Sequence, residues 1–357
     1  MPLMLSGDRI PAPWVTERNW RALTSRRRSD RWAECLRIAL VNNMPDAALE
    51  STETQFLDLL AAAAGEIPVC VELYSLPEIT RGERAQQHMS GLYSNVYDLT
   101  RGRFDAVIIT GTEPHEPDLR NEAYWQTLVD LLNWAEHNTV STILSCLAAH
   151  ASVLHSDGVA RYLLSDKRFG VFDERKVTQH PLMAGAPDVI RFPHSRWNEL
   201  REDELVSAGY TVLTKSREAG VGLFAKQKNK SLFIHVQGHP EYAAETLLKE
   251  YRRDIKRFLR RERETYPSLP HGYFSASATE LLAAFRRQAL SDPNESTLAN
   301  FPDAVIAETL QNGWHGAGAG IYRNWLQYVA SKRVGAAQYS VMAASYGQVP
   351  GKRHPVP

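Results

Sequence analysis

The chain is poor in sulfur, carries no net charge and has no long apolar run. Only three cysteines, Cys35, Cys70 and Cys146, occur in 357 residues. An odd, sparse set without metal-ligand spacing argues against a disulfide framework and against a metal site. It fits a reducing compartment, so the cytoplasm is the expected location. The 41 Lys and Arg residues balance 41 Asp and Glu residues, so no global field draws the protein to nucleic acid or to an anionic membrane. Basic clusters at Arg26, Arg27 and Arg28 and along 252–261 are local. No apolar stretch approaches the roughly 18 residues of a spanning helix, and the N-terminus lacks the order of a secretory signal.

What is present reads as a folded chain: 43% of residues are apolar and 23% are charged. Apolar segments alternate in type. "LRIALVN" (36–42), "VCVELYSL" (69–76), "FDAVIITG" (104–111) and "STILS" (141–145) read as strands. Between them, 49–63 and 122–137 have helical spacing. This is the pattern of parallel βαβ units, so the expected fold is α/β, a mostly parallel sheet flanked by helices. Four further strand-like segments (189–195, 210–216, 221–227 and 231–242) lie closer together and read as partly antiparallel. A charged helix over about 243–264 and a mainly helical remainder follow. The expected organisation is an N-terminal arm (1–35), a catalytic domain (36–265), a helical extension (266–345) and a loose tail (346–357).

"ILSCLAAH" (143–150) places a cysteine at the end of a strand and small helix formers after it. In open parallel sheets, ligands bind beyond the carboxyl ends of the strands, where Cys146 is expected to lie. A helix beginning there favours a thiolate, and its free N–H groups can hold an oxyanion. The alternative reading is a packed core thiol. A second segment, "HVQGHPEY" (235–242), ends a strand in His239, Pro240 and Glu241. A spacing of two lets Glu241 hold one nitrogen of His239, so a Cys-His-Glu triad is plausible; a solvated turn is the alternative.

These elements, with further segments, resemble the homoserine O-acyltransferases, which make O-succinyl- or O-acetylhomoserine in methionine biosynthesis on a class I glutamine amidotransferase-like, flavodoxin-like three-layer fold. The matching segments are "NNMP" (42–45), "TETQ" (52–55), "ITG" (109–111), "YW" (124–125), "SDKRFGVF" (165–172), "PHSR" (193–196), "GHPEY" (238–242), "EYRRD" (250–254) and "NWLQY" (324–328). The resemblance implies that Cys146 is the acyl-thioester nucleophile, His239 the general base and Glu241 its partner. It places Lys167, Ser195 and Arg253 at the substrate site, with Arg253 on the amino acid's carboxylate, and offers the N–H of Leu147 to the oxyanion. Succinyl-CoA or acetyl-CoA would be co-substrate, homoserine the acceptor, and a homodimer the assembly, with no permanently bound cofactor.

The chain also departs from the family. Leu147, Ala148 and His150 stand where a Trp-Gly pair and a Gln are usual, and His115 stands where a Gly or Glu separates succinyl from acetyl donors. A histidine there can hydrogen-bond a succinyl carboxylate, which favours succinyl. The stretch near 280–311 reads as a helical insertion, either a lid or a partner-binding hairpin. Transfer to serine or another hydroxy-amino acid, and a glutaminase activity, stay open as alternatives.

Overall fold

The structure, a computed structural model, describes residues 3–6, 21–23 and 35–346, and at the level of side chains residues 3–6 and 35–333. The cluster Arg26 to Arg28, most of the N-terminal arm and nearly all of the expected loose tail lie outside the described residues.

One mixed sheet of 12 strands organises them. In chain order these are β1 (Leu3–Ser6), β2 (Arg21–Leu23), β3 (Leu36–Val41), β4 (Val69–Ser75), β5 (Tyr93–Asn95), β6 (Ala106–Ile109), β7 (Ser141–Ser145), β8 (Tyr162–Lys176), β9 (Val189–Glu199), β10 (Thr211–Ser216), β11 (Gly220–Lys228) and β12 (Ser231–Val236). The spatial order is β2-β1-β4-β3-β6-β7-β12-β11-β10-β8-β9, with β5 also on β4. Pairs from β2 through β12 are parallel, and those from β12 through β9 are antiparallel. The mostly parallel α/β class expected from the sequence is the class observed. Strands β1 and β2 extend the sheet edge from within the N-terminal arm.

Valine, isoleucine and leucine dominate β3 and β6, and β7 is buried throughout, because both faces of these strands are covered. On one face lie α1 (Asp46–Ala64), α4 (Thr246–Leu259) and α6 (His315–Tyr346); on the other lie α2 (Trp125–Asn138) and α3 (Leu147–Asp157). Helix α4 buries Leu247, Leu248, Tyr251, Ile255 and Leu259 at spacings of three and four and sends its basic residues outward. Helix α5 (Ala276–Ser291) and the short helix Asp303–Ala307, from the expected insertion, pack on α4 through Phe285 and Phe301, whose rings are 5.1 Å apart, and through an Arg252–Asp303 ion pair of 2.7 Å. Among the described residues no helix is long and apolar enough to cross a membrane.

One expectation is corrected. Cys35 and Cys70, read as free thiols, are joined in a disulfide, and only Cys146 is a free cysteine. The reason is register. Leu36 sits opposite Val69 and Arg37 opposite Cys70 on neighbouring parallel strands, which brings the two cysteine Cα atoms to 5.8 Å. A separation of 35 residues carries no sign of that.

The C-terminal helix belongs to the main core. Trp325 of α6 is fully buried, and its indole N–H donates to Ser141 Oγ on β7 at 3.0 Å. Replacing Trp325 by alanine is expected to cost about 3–5 kcal/mol, measured as a fall in the urea midpoint of unfolding at unchanged slope.

Candidate functional site

Cys146 separates β7 from α3. Its φ of 52° and ψ of −112° are unusual for a residue with a Cβ and cost on the order of 1–3 kcal/mol. The neighbours over-determine this turn. The Cys146 N–H donates to Val236 O on β12 at 2.7 Å, and Ala148 and Ala149 let the helix start close under the sheet. Gly111, after β6, lies so close that a Cβ there would sit 3.0 Å from the Leu147 nitrogen. The first N–H groups of a helix have no intrahelical acceptor, so Leu147 presents a free donor beside the sulfur. Cys146 itself is half-buried.

His239 and Glu241 meet this turn as their spacing predicts. Glu241 Oε1 lies 2.7 Å from His239 Nδ1, which leaves Nε2 for the thiol, and Cys146 is near enough to the imidazole to act on its pKa. Burial alone would lower the pKa of His239, but the Glu241 charge and the hydrogen bonds to Cys146 and Glu241 push it up to about 10. The ring of Tyr242 stacks on that of His239, centroids 4.2 Å apart. The turn is braced from the start of α6 and the residue before it. Trp314 Nε1 donates to Tyr242 O at 2.7 Å, and a Cβ on Gly318 would sit 3.0 Å from Pro240 Cβ.

Lys167, Ser195 and Arg253 converge on Glu250, a residue the sequence reading did not single out. Lys167 Nζ lies 3.4 Å from Glu250 and 3.2 Å from Asp254, and 4.0 Å above the ring of Phe169. The Ser195 hydroxyl donates to Glu250 Oε2, and Arg253 lies 3.7 Å from Glu250 and 3.0 Å from Asp254. Burial would raise the pKa of Asp254, but Lys167 and Arg253 hold it below the usual carboxylate range. Tyr242 joins the two clusters: its ring lies on His239 and its hydroxyl donates to Glu250 Oε1 at 2.8 Å. Tyr242 and Glu250 both occur inside quoted motifs, "GHPEY" and "EYRRD". That was the only signal for them.

His115 is exposed on the loop after Gly111, with its backbone N–H donating to Glu122 Oε1 at 2.6 Å. Arg257 of α4 reaches across to Glu113 in this loop at 3.3 Å, so the loop borders the Glu250 cluster. His150, one turn after the cysteine, is buried against Gln237 at 2.9 Å; burial, aided by the Arg196 charge, pushes its pKa down to about 3 and keeps it neutral. The "NNMP" and "TETQ" segments hold the scaffold. The Asn43 N–H donates to Thr110 Oγ1 at 2.8 Å, and Gln55 Nε2 donates to Thr246 Oγ1, at the start of α4, at 2.8 Å.

A strained strand–cysteine–helix turn, with a buried His–Glu pair at the end of the next strand, defines an α/β protein whose free cysteine sits in the geometry that thiol chemistry requires. The family model of homoserine O-succinyltransferase matches residues 3–336. A homoserine O-succinyltransferase of Rhodopseudomonas palustris is 43% identical over 300 residues, 84% of this chain and 90% of that one. Another, from Methylobacter tundripaludum, is 35% identical over 328 residues, 91% and 92% of the two chains. Among solved structures, a glutamine amidotransferase from Thermotoga maritima aligns over 82% of this chain and 98% of its own at 12% identity, with a TM-score of 0.44. The chain belongs to the homoserine O-succinyltransferase family.

The raised pKa of His239 has a stability consequence. The protonated ring's contacts contribute fully below its ordinary pKa of 6.5, and that contribution is lost as pH rises through about 10. Between these values the melting temperature of the wild-type protein is expected to fall relative to that of a His239→Gln variant. Parallel curves for the two proteins would contradict this.

Proposed function

We propose that this chain transfers the succinyl group of succinyl-CoA to the hydroxyl of homoserine through a thioester on Cys146. The observation that carries the reading is a single imidazole hydrogen-bonded to a carboxylate and within interaction range of the only free thiol of the chain.

In the first half-reaction Cys146 Sγ bonds to the thioester carbonyl carbon. The oxyanion is met by the Leu147 N–H, the bond to the CoA sulfur breaks, and CoA leaves with the proton from His239 Nε2. Acylation removes the electrostatic and hydrogen-bonding influences of the cysteine on the ring. Both raise the His239 pKa, so their loss lowers it and turns the ring into a base. In the second half-reaction the homoserine hydroxyl gives its proton to Nε2 and its oxygen attacks the Cys146 thioester. The sulfur–carbon bond then breaks and O-succinylhomoserine departs. One thioester is exchanged for another before the ester forms, so positioning and oxyanion stabilisation matter more than strong activation.

The Glu250 cluster suits a zwitterionic amino acid. Arg253 offers a planar fork to its carboxylate, with Lys167 and Ser195 beside it, and Glu250 with Asp254 suits its ammonium. His115 is assigned to donor choice, from the loop beside the cluster.

Succinyl-CoA without acceptor is expected to add one succinyl group to the peptide containing Cys146, read by mass spectrometry, and Cys146→Ala to abolish it. Homoserine should discharge the adduct, and serine much more slowly. Hydrolysis of glutamine with no adduct would overturn the reading. Glu241→Gln should lower kcat/KM by about 10²- to 10⁴-fold by releasing the ring that serves as acid and base.

A further inference from the structure

Lys167 and Ser195 lie on one face of the β8–β9 hairpin. The next residues, Arg168 and Arg196, point to the opposite face, because side chains alternate along a strand. Arg168 and Arg196 are direct cross-strand partners. Two like charges placed opposite one another destabilise a sheet, and a buried guanidinium normally has a carboxylate. Among the described residues neither arginine has one within ion-pair distance.

Arg196 is 5% exposed and is satisfied by neutral acceptors: Asn198 O at 2.6 Å, Ala219 O, and His194 Nδ1 at 3.4 Å. Burial pushes His194 below its ordinary pKa, so that ring is neutral. Of the nearest carboxylates, Glu174 is engaged by His194 and Thr214, and Glu199 acts only at longer range. Arg168 Nε is buried with no partner at all.

The pair also lies in the right place. His239 N–H donates to Pro193 O at 2.8 Å, three residues before Arg196, and a Cβ on Gly238 would sit 3.1 Å from His194 Nε2. This end of β9 therefore lies against the turn that carries His239. Arg196 spans from there to Ala219, at the head of β11. Burial lowers the pKa of Arg196 to about 10, and the Cys146 charge is the foremost interaction acting against that fall.

We propose that Arg168 and Arg196 form the site for the distal carboxylate of the acyl donor. The proposal rests on the succinyl-transfer reading above. Its logic is charge conservation beside the nucleophile. Acylation takes up the Cys146 sulfur, and a neutral acyl group would leave the two guanidinium groups crowded together without a carboxylate partner. A succinyl group brings its own carboxylate, two methylenes beyond the thioester carbonyl, and restores the balance. His115, exposed on its loop, supplies at most one hydrogen bond; the arginines supply the charge.

The test compares succinyl-CoA with butyryl-CoA, which has the same number of carbons and no charge. In Arg168→Met the ratio of kcat/KM for succinyl over butyryl donor is expected to fall roughly 10- to 100-fold, the loss of a charge-assisted contact, carried mainly by the KM for succinyl-CoA. The melting temperature should hold. Arg196→Lys, which keeps the charge without the fork, should shift the ratio in the same direction but less. An unchanged ratio, or equal loss with both donors, would overturn the assignment and leave the pair acting on Cys146 itself. So would a ratio that moves in His115→Ala and not in Arg168→Met. Failure of both donors to label Cys146 in the wild-type protein would instead defeat the succinyl-transfer reading.

Discussion

The site depends on a proton held at His239. Burial in the sheet's upper layer disfavours a charged ring, and the carboxylate of Glu241 with the thiol of Cys146 more than offsets it. The balance is local and strong because little water reaches the ring to weaken it. It also explains why other parts of the molecule are built as they are. The ring must not rotate, so Tyr242 covers one face and Glu241 holds Nδ1. The sulfur must not swing away, so the residue carrying it is locked in a turn that a side chain adopts only under constraint.

Constraint of this kind has to be supplied from elsewhere. Part comes from the neighbouring strand end, where Gly111 yields the space of a side chain to the first turn of α3. Part comes from the far end of the chain. Trp314 and Gly318 press on the backbone of the His-Pro-Glu turn, and Trp325 fixes α6 to the base of β7. The helical extension is thus part of the machinery that keeps the imidazole in line, through packing too dense to yield in small steps.

The β8–β9 hairpin adds a division of labour that follows from pleating alone. Alternate residues of two short motifs, "SDKRFGVF" and "PHSR", face opposite ways. One set meets the acidic residues of α4, and the other turns toward the nucleophile's side. In the reaction we propose, acceptor and donor ends are read by the same pair of strands without sharing a side chain.

Much of this was legible in the residues. The alternation of apolar strands with amphipathic helices identified the sheet, and "ILSCLAAH" and "HVQGHPEY" located the cysteine turn and the His–Glu pair that meets it. Glu250 was not legible: a glutamate on a charged helix looks like a solvated face until β8 and β9 fold onto it. The strand β8 itself was missed, because its polar residues lack the apolar alternation of a sheet with one wet face. The disulfide between Cys35 and Cys70 was misread, since its formation depends on which strands become neighbours. Local pattern determined the elements and the chemical types at their ends, because those depend on residues a few positions apart. Only the tertiary structure decided which charges meet, since ion pairs, strand register and burial arise between segments the chain brings together on folding.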